Sequence, residues 1–455
     1  MSQRSFLSRI RPPFDARLLQ SACCGQNSGD AEASAVFHRL AQEYGADRAF
    51  LFDSARQGLH CFFEAVNLGE GDGVVLADFN CRSMLTPIVR RGIRPVFVDV
   101  SSSFTYDVDQ LHEALRIPSV KAVILTHFFG KSCWTPRLKE IVAEAAERGV
   151  FVIEDAAHSL EDDAQPDIGR VGQVVLFSFG NDKPLSAGKG GMILMRSPEL
   201  VARMNEVYQR LRVRSLEEER GLLLWHVLYS LASKPEICPP GLPCALSSYV
   251  SPSAKEMTEI IQCIEENSTA DTLASFTSVR KSLRLLNCRD RSIASRAIRR
   301  VFGLFRYARP ASGQPAVPMQ MNKLTQLVLS TYLCGGVLRR ANARRTENHR
   351  YLLECLTSAD LMQESGKVGV GARLRYTHVY NTADVARLAI AKARRADIEV
   401  GCFNWSPLLS SIVGVRREQP VWAVHPSRVV NYPVHPYLSG DDIARIADLL
   451  TFVKA

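Results

Sequence analysis

This sequence predicts an α/β fold: a mostly parallel sheet flanked by helices, followed by a smaller C-terminal α+β part. Two observations carry the prediction. From about residue 49 to 196, strand-like and helix-like stretches alternate, as they do in an α/β domain. Several of the strand-like stretches are nearly continuous apolar runs, which marks strands covered on both faces.

In order, the expected strands are GVVLAD (73–78), RPVFVDV (94–100), KAVILTHFFG (121–130), GVFVIEDAA (149–157), QVVLFSFG (173–180) and GGMILMR (190–196). Helical stretches lie between them. DVDQLHEALR (107–116) is one, and RLKEIVAEAAERG (137–149) is another, ending on a glycine suited to a helix C-terminus. Residues 205 to about 315 break the rhythm with EEER, the proline-rich PPGLP (239–243) and a basic segment. A long helical pattern then runs through MNKLTQLVLSTYLCGGVLRRANARRTENHRYLLECL (321–356). The end of the chain reads as strand RYTHVYN (375–381), helix ADVARLAIAKARRA, strand IEVGCF and closing helix DDIARIADLLTFV. The expected division is an N-terminal arm (1–34), a large domain (35–204), a mostly helical insertion (205–315) and a small domain (316–455).

Composition narrows the function classes. With 46% hydrophobic and 23% charged residues, the balance is that of a soluble globular protein. No apolar run approaches the ~20 residues of a membrane span, and the N-terminus lacks a signal-peptide core, so a cytoplasmic location is expected. The twelve cysteines show no CxxC and no zinc-type spacing, so reduced thiols and no metal are expected. Of the net charge of +9, residues 280–309 hold a surplus of nine: ten Lys/Arg against Asp290. The rest is balanced and leaves no broad nucleic-acid footprint. Within that segment Leu285, Leu286, Ile293, Ile298, Val301, Phe302 and Phe305 recur at roughly helical spacing. Such a helix either packs on its own domain with a solvated basic face or docks on an anionic membrane surface.

In open α/β sheets, ligands sit beyond the carboxyl ends of the strands. Asp155, His158, Ser178 and Lys183 all fall at or just after such ends. Pyridoxal phosphate accounts for this set: a lysine amine condenses with its aldehyde, and an aspartate faces its ring nitrogen. The carboxylate keeps that nitrogen protonated, because an opposite charge at contact favours the charged form. Lys131 and Lys189 are competing lysines, and His127 is read as packing beneath the site.

IEDAAHSL, FSFGNDKPLSAGKGG, LTHFFGKS and NYPVHPYLSGDDIARIADLL together resemble the DegT/DnrJ/EryC1/StrS sugar aminotransferases, which are fold-type I pyridoxal-phosphate enzymes. The resemblance covers roughly 35–200 and 316–455. It implies that Asp155 faces the ring nitrogen, His158 contacts the ring or its oxygen, Ser178 contacts the phosphate and Lys183 is the Schiff-base lysine. It also implies a homodimer that takes an amino group from an amino acid such as glutamate and gives it to a keto sugar, expected to be nucleotide-linked.

The departures from the family pattern are specific. DSARQGL places Ser54, Ala55 and Arg56 where Ser-Gly-Thr holds the phosphate, and Arg56 offers a charged contact. Cys81, in ADFNCRS, stands where a ring-stacking aromatic is usual; Phe79 or Cys81 itself covers that face. PMQMNK puts Pro318 and Gln320 where Asn-x-Arg reaches the neighbouring subunit. Lys189 replaces a common acidic residue. Related sugar dehydratases carry histidine in place of the lysine, so Lys183 favours transamination. A non-catalytic regulator is the alternative that the changes at Ala55 and Pro318 leave open.

Overall fold

The computed structural model describes residues 29–180, 183–213, 318–357, 374–402, 408–415 and 423–452. Helix α1 (Gly29–Glu43) leads into β1 (Arg48–Phe52). Next comes α2 (Ala55–Ala65), whose N-cap Ser54 has extended backbone and accepts the Gln57 amide N–H on its side chain. Strand β2 (Gly73–Ala77) is wholly buried. A short 3₁₀ turn (Arg82–Met84), α3 (Leu85–Arg90) and β3 (Arg94–Val98) follow. Asp107 caps α4 (Val108–Leu115), which precedes β4 (Val120–Thr126). Thr135 caps α5 (Pro136–Glu147), with proline in the first turn where its missing N–H costs nothing. Then come β5 (Phe151–Asp155), β6 (Val174–Ser178), β7 (Gly191–Met195), α6 (Pro198–Tyr208) and β8 (Arg212–Val213).

The chain is described again from β9 (Met319–Gln320), through α7 (Lys323–Cys334) and α8 (Val337–Thr357), to β10 (Tyr376–Val379) and α9 (Ala383–Arg395). It closes with β11 (Gly401–Cys402), α10 (Leu409–Ile412), β12 (Val429–Tyr432) and α11 (Gly440–Phe452).

Among the described residues the main sheet has the order β3-β2-β4-β5-β6-β7-β1-β9-β8. Strands β3, β2, β4, β5 and β6 pair in parallel, while β7 runs antiparallel to both β6 and β1. The expected mostly parallel sheet is therefore present, with β7, β9 and β8 running opposite to the other six strands. Buried clusters cover both faces: Phe62, Ile124 and Ile193 belong to one, Val75, Val123 and Leu138 to another. This is why these strands read as continuous apolar runs. A second sheet, β10-β12-β11, is antiparallel and packs with α8, α9 and α11 around Tyr432, Ile443 and Leu352. Asp78 ties the parts together, its carboxylate accepting the Ser410 amide at 2.8 Å and the Ser410 hydroxyl at 2.7 Å.

Three departures from the sequence reading have local causes. Strand β1 is absent from the expected set, because RAFLF is one short apolar run with no helix signal on its far side until Ser54. The single long helix from 321 is two helices: Gly335 caps α7, and Gly336 adopts φ +63, a left-handed conformation that ends the first helix. Among the described residues of IEVGCF, Gly401 and Cys402 alone pair in a strand. Helix α6 runs across the expected boundary at 204. The basic segment 280–309, the PPGLP stretch and most of the N-terminal arm lie outside the described residues.

Candidate active site

Sheet register gathers the chemistry. Thr126 lies beside Asp155 across β4 and β5, Asp155 beside Leu176 across β5 and β6, and Ser178 beside Gly191 across β6 and β7. A further bridge joins Ser54 to Gly190. The strand ends meet the start of α2 around a cleft of about 160 Å³. All eight site residues expected from sequence line it: Ser54, Ala55 and Arg56 at the start of α2, Cys81 beyond β2, Asp155 and His158 beyond β5, and Ser178 and Lys183 beyond β6.

Asp155 is the floor of the cleft. It is 7% exposed and has one donor on each oxygen: the Ala157 amide at 3.1 Å and the Thr126 hydroxyl at 3.2 Å. Burial raises its pKa; the Ala157 amide and the positive charge of Lys183 pull the other way without cancelling it. Asn80 in turn donates to Thr126 Oγ1 at 2.9 Å, and the Tyr106 hydroxyl accepts the Thr126 amide N–H at 2.8 Å. His158 Nδ1 accepts the Phe129 amide N–H at 3.2 Å, so a neutral ring carries its proton on Nε2. The Phe129 ring lies nearly parallel to that imidazole, 13° apart at a centroid distance of 5.9 Å. Phe129 itself sits at φ 56, ψ 23, a left-handed position costing on the order of 1–3 kcal/mol.

The helix start forms the opposite wall. A Cβ on Gly191 would lie 2.0 Å from the Ala55 nitrogen, so only glycine lets β7 run against the first turn of α2. The amide end of α2 thereby borders the cleft, and such ends attract anions. Arg56 is exposed at this edge and makes no ion pair among the described residues. The Ser178 hydroxyl is 3.5 Å from the Gly180 amide, and the Lys183 amide donates to the Gly180 carbonyl at 3.2 Å, closing a turn that carries the lysine to the cleft. Neither competing lysine lines the cleft. Lys131 donates to the Ser103 carbonyl at 2.5 Å, and Lys189 pairs with Asp53.

Several neighbours escaped the sequence reading. Thr126, Asn80, Phe128 and Phe129 all line the cleft. LTHFFG ends a strand adjacent to IEDAAH, but within it only the histidine carries a chemical signal in sequence. His127 is fully buried outside the cleft, donating from Nε2 to Glu154 at 2.9 Å while its Nδ1 accepts the Cys133 amide N–H. Of the two residues proposed to cover the ring, Cys81 lines the cleft. Phe79 does not; it is buried against Phe104 and Phe128 at centroid distances of 5.6 and 5.7 Å. Gln320 donates to the Tyr208 carbonyl of its own chain at 2.8 Å.

This donor set fits pyridoxal phosphate. One buried carboxylate whose pKa is raised has room for a cation against it, one amine reaches the same space, and a helix start with Ser54, Ser178 and Arg56 suits a phosphate. Residues 21–227 match the model of the DegT/DnrJ/EryC1/StrS aminotransferase family. The spore coat polysaccharide biosynthesis protein SpsC of Bacillus subtilis is 35% identical over 158 residues, 34% of this chain and 40% of that one. The chain thus spans about two-fifths of the length of the curated relatives it matches. The fold is that of the aminotransferase TlmJ from Streptoalloteichus hindustanus, at TM-score 0.63 and 17% identity over 98% of both chains. It is also that of Spr1654 from Streptococcus pneumoniae in its PLP form, at TM-score 0.60 and 13% identity over 98% of this chain and 97% of that one. Over residues 21–227, a little under half of its length, the chain is similar to the DegT/DnrJ/EryC1/StrS aminotransferase family.

Proposed function

We propose that this protein is a pyridoxal-phosphate-dependent aminotransferase that moves an amino group from an amino acid, with glutamate the first donor to test, to a keto sugar carried on a nucleotide. One observation carries the proposal: a single cleft collects Lys183, Asp155, His158, Ser178 and the start of α2 from well-separated parts of the sequence. The similarity to SpsC supports a place in polysaccharide biosynthesis.

When bound, the cofactor supplies an electron sink for a carbanion at the donor's α carbon. The residues supply the rest. Asp155 holds a proton on the ring nitrogen by charge pairing, a role its burial strengthens because an unpaired carboxylate there is costly. Ser54, Arg56, Ser178 and the amide end of α2 bind the phosphate. His158 lines the cleft and contacts the cofactor ring or its oxygen. Lys183 Nζ would hold the cofactor and, when displaced by the incoming amine, would serve as the base that passes the donor's α proton to the cofactor and, in the reverse half-reaction, passes a proton from the cofactor to the sugar carbon.

A homodimer and a cytoplasmic location belong to the same proposal. So does contact of residues 280–309 with an anionic membrane surface, which rests on their charge surplus of nine. Among the described residues no helix is long and apolar enough to cross a membrane. The test of function is incubation of the purified protein with glutamate and a panel of keto-sugar nucleotides, with mass spectrometry of the products. Appearance of an amino sugar and 2-oxoglutarate is the expected result, and no amine transfer to any member of the panel overturns the acceptor assignment.

A further inference from the structure

Helix α8 buries an arginine that makes no ion pair among the described residues. Arg345 is 1% exposed, and its guanidinium donates to the Pro184 carbonyl at 3.0 Å and to Asn342 Oδ1 at 2.7 Å. Asn342, one turn earlier on the same helix, donates from Nδ2 to the Leu160 carbonyl at 2.8 Å and the Glu161 carbonyl at 3.0 Å. Pro184 directly follows Lys183, and Leu160 lies two residues beyond His158. One helix face thus grips both segments that carry site residues past the ends of β5 and β6.

Burying a guanidinium against neutral acceptors is expensive, and burial draws its pKa down to about 10. An apolar side chain of similar volume would fill this space at lower cost. What an apolar side chain lacks is the fixed fork of N–H donors that reaches a backbone carbonyl and Asn342 together. The need for a brace is local. Lys183 sits five residues past the end of β6, on a turn, with its amine at the end of a flexible stem. Misplacement by about 1 Å can cost on the order of a hundredfold in rate.

We infer that Arg345 is a positioning residue which, with Asn342, holds the turn bearing Lys183 in register with Asp155 and His158. The inference rests on the role proposed above for Lys183, and its test separates the two.

The full-length protein would be compared with Arg345→Gln, Arg345→Lys and Asn342→Ala. The first readout is hydrogen exchange in cofactor-free protein. Losing a hydrogen bond from a charged donor predicts roughly ten- to hundredfold faster exchange, confined to residues 185–189, in Arg345→Gln. The second readout is borohydride capture of pyridoxal phosphate on Lys183, located by peptide mapping, beside a separate measurement of cofactor affinity. Capture in Arg345→Gln slows roughly tenfold while affinity falls less, because the phosphate contacts remain. Arg345→Lys, which keeps a cationic donor, recovers part of both effects, and Asn342→Ala loosens residues 158–161 as well. Unchanged exchange at 185–189 overturns the inference, as does loosening spread over β6 and α8 with a matching fall in Tm. If the parent protein captures no cofactor on Lys183 while Arg345→Gln still loosens the turn, the brace stands and the aminotransferase reading fails.

Discussion

Glu154 and Asp155 are consecutive carboxylates on one strand, and they have opposite fates. Strand alternation sends their side chains to opposite faces of the sheet. Glu154 is fully buried and accepts five donors at 2.6–3.1 Å: His127, the Trp134 indole, and the amides of Gly169, Val171 and Gly172. Burial alone would raise its pKa, but His127 and these amides hold it at about 2. Asp155, facing the cleft, has one donor per oxygen and a raised pKa. The difference separates a carboxylate that holds the fold from the one proposed above to face the cofactor. A buried acid whose lone pairs are saturated is finished, whereas one that is undersupplied is suited to a cation from outside.

The most damaging way to break the contrast is Glu154→Ala. It strands five donors, three of them in buried hydrogen bonds, and breaking a buried pair costs about 3–5 kcal/mol. Urea unfolding is expected to show a loss of that size or no soluble protein at all; a loss under 1 kcal/mol would mean the cluster is not holding the fold. The same group should dominate acid unfolding. Its folded pKa lies below the ordinary carboxylate value, so its contribution is present above that value and drains away as pH falls through about 2.

Asp155→Asn tests the other side. It keeps the shape and one acceptor, so stability should change by no more than about 1–2 kcal/mol. Amine transfer should fall roughly 10²–10³-fold, the scale for removing a preorganised charge partner. Steady-state kinetics beside thermal unfolding distinguishes these, and near-parental turnover would remove Asp155 from the ring-nitrogen role.

Arg56→Ala acts at the opposite wall. Losing one charge-assisted bond to phosphate predicts cofactor binding roughly ten- to hundredfold weaker, with Lys183 competent at saturating cofactor. Fluorescence titration with pyridoxal phosphate measures it, and an unchanged Kd returns Arg56 to the solvent.

The smallest effect is a pH slope in cofactor-free protein. Asp155's folded pKa is raised, so its favourable contribution is complete below the ordinary carboxylate value and is lost as pH rises through the folded value. Relative to Asp155→Asn, the parent should therefore lose stability across that window, and bound cofactor should flatten the difference. Parallel stability–pH curves for the two proteins would contradict the raised pKa.

What the sequence shows and hides follows from how far each feature reaches along the chain. That Asp155, His158, Ser178 and Lys183 share one cleft is legible because each falls at or just after the end of an apolar run, a position set by local pattern. Thr126 and Asn80 were not, because their importance comes from cross-strand register with Asp155, which no single stretch encodes. Phe129 was hidden for a different reason: its left-handed backbone has no glycine to announce it. The break between α7 and α8 was announced by Gly335 and Gly336, but apolar spacing on both sides outweighed the pair. The brace at Arg345 lies 162 positions after Lys183, and an arginine in a basic helical stretch reads as a solvated one.

Strands β8 and β9 pair side by side, with Arg212 opposite Met319 and Val213 opposite Gln320. The chain therefore leaves the sheet edge at Val213 and rejoins it about one rung away. In polymer terms the two ends are held at nearly zero separation whatever lies between them. The entropy of closing such a loop grows only with the logarithm of its length, about 0.6 kcal/mol per doubling. The closure term therefore changes little with the number of residues between Val213 and Met319, and the pairing of β8 with β9 holds the two ends together at the edge beside β1 whatever that number is.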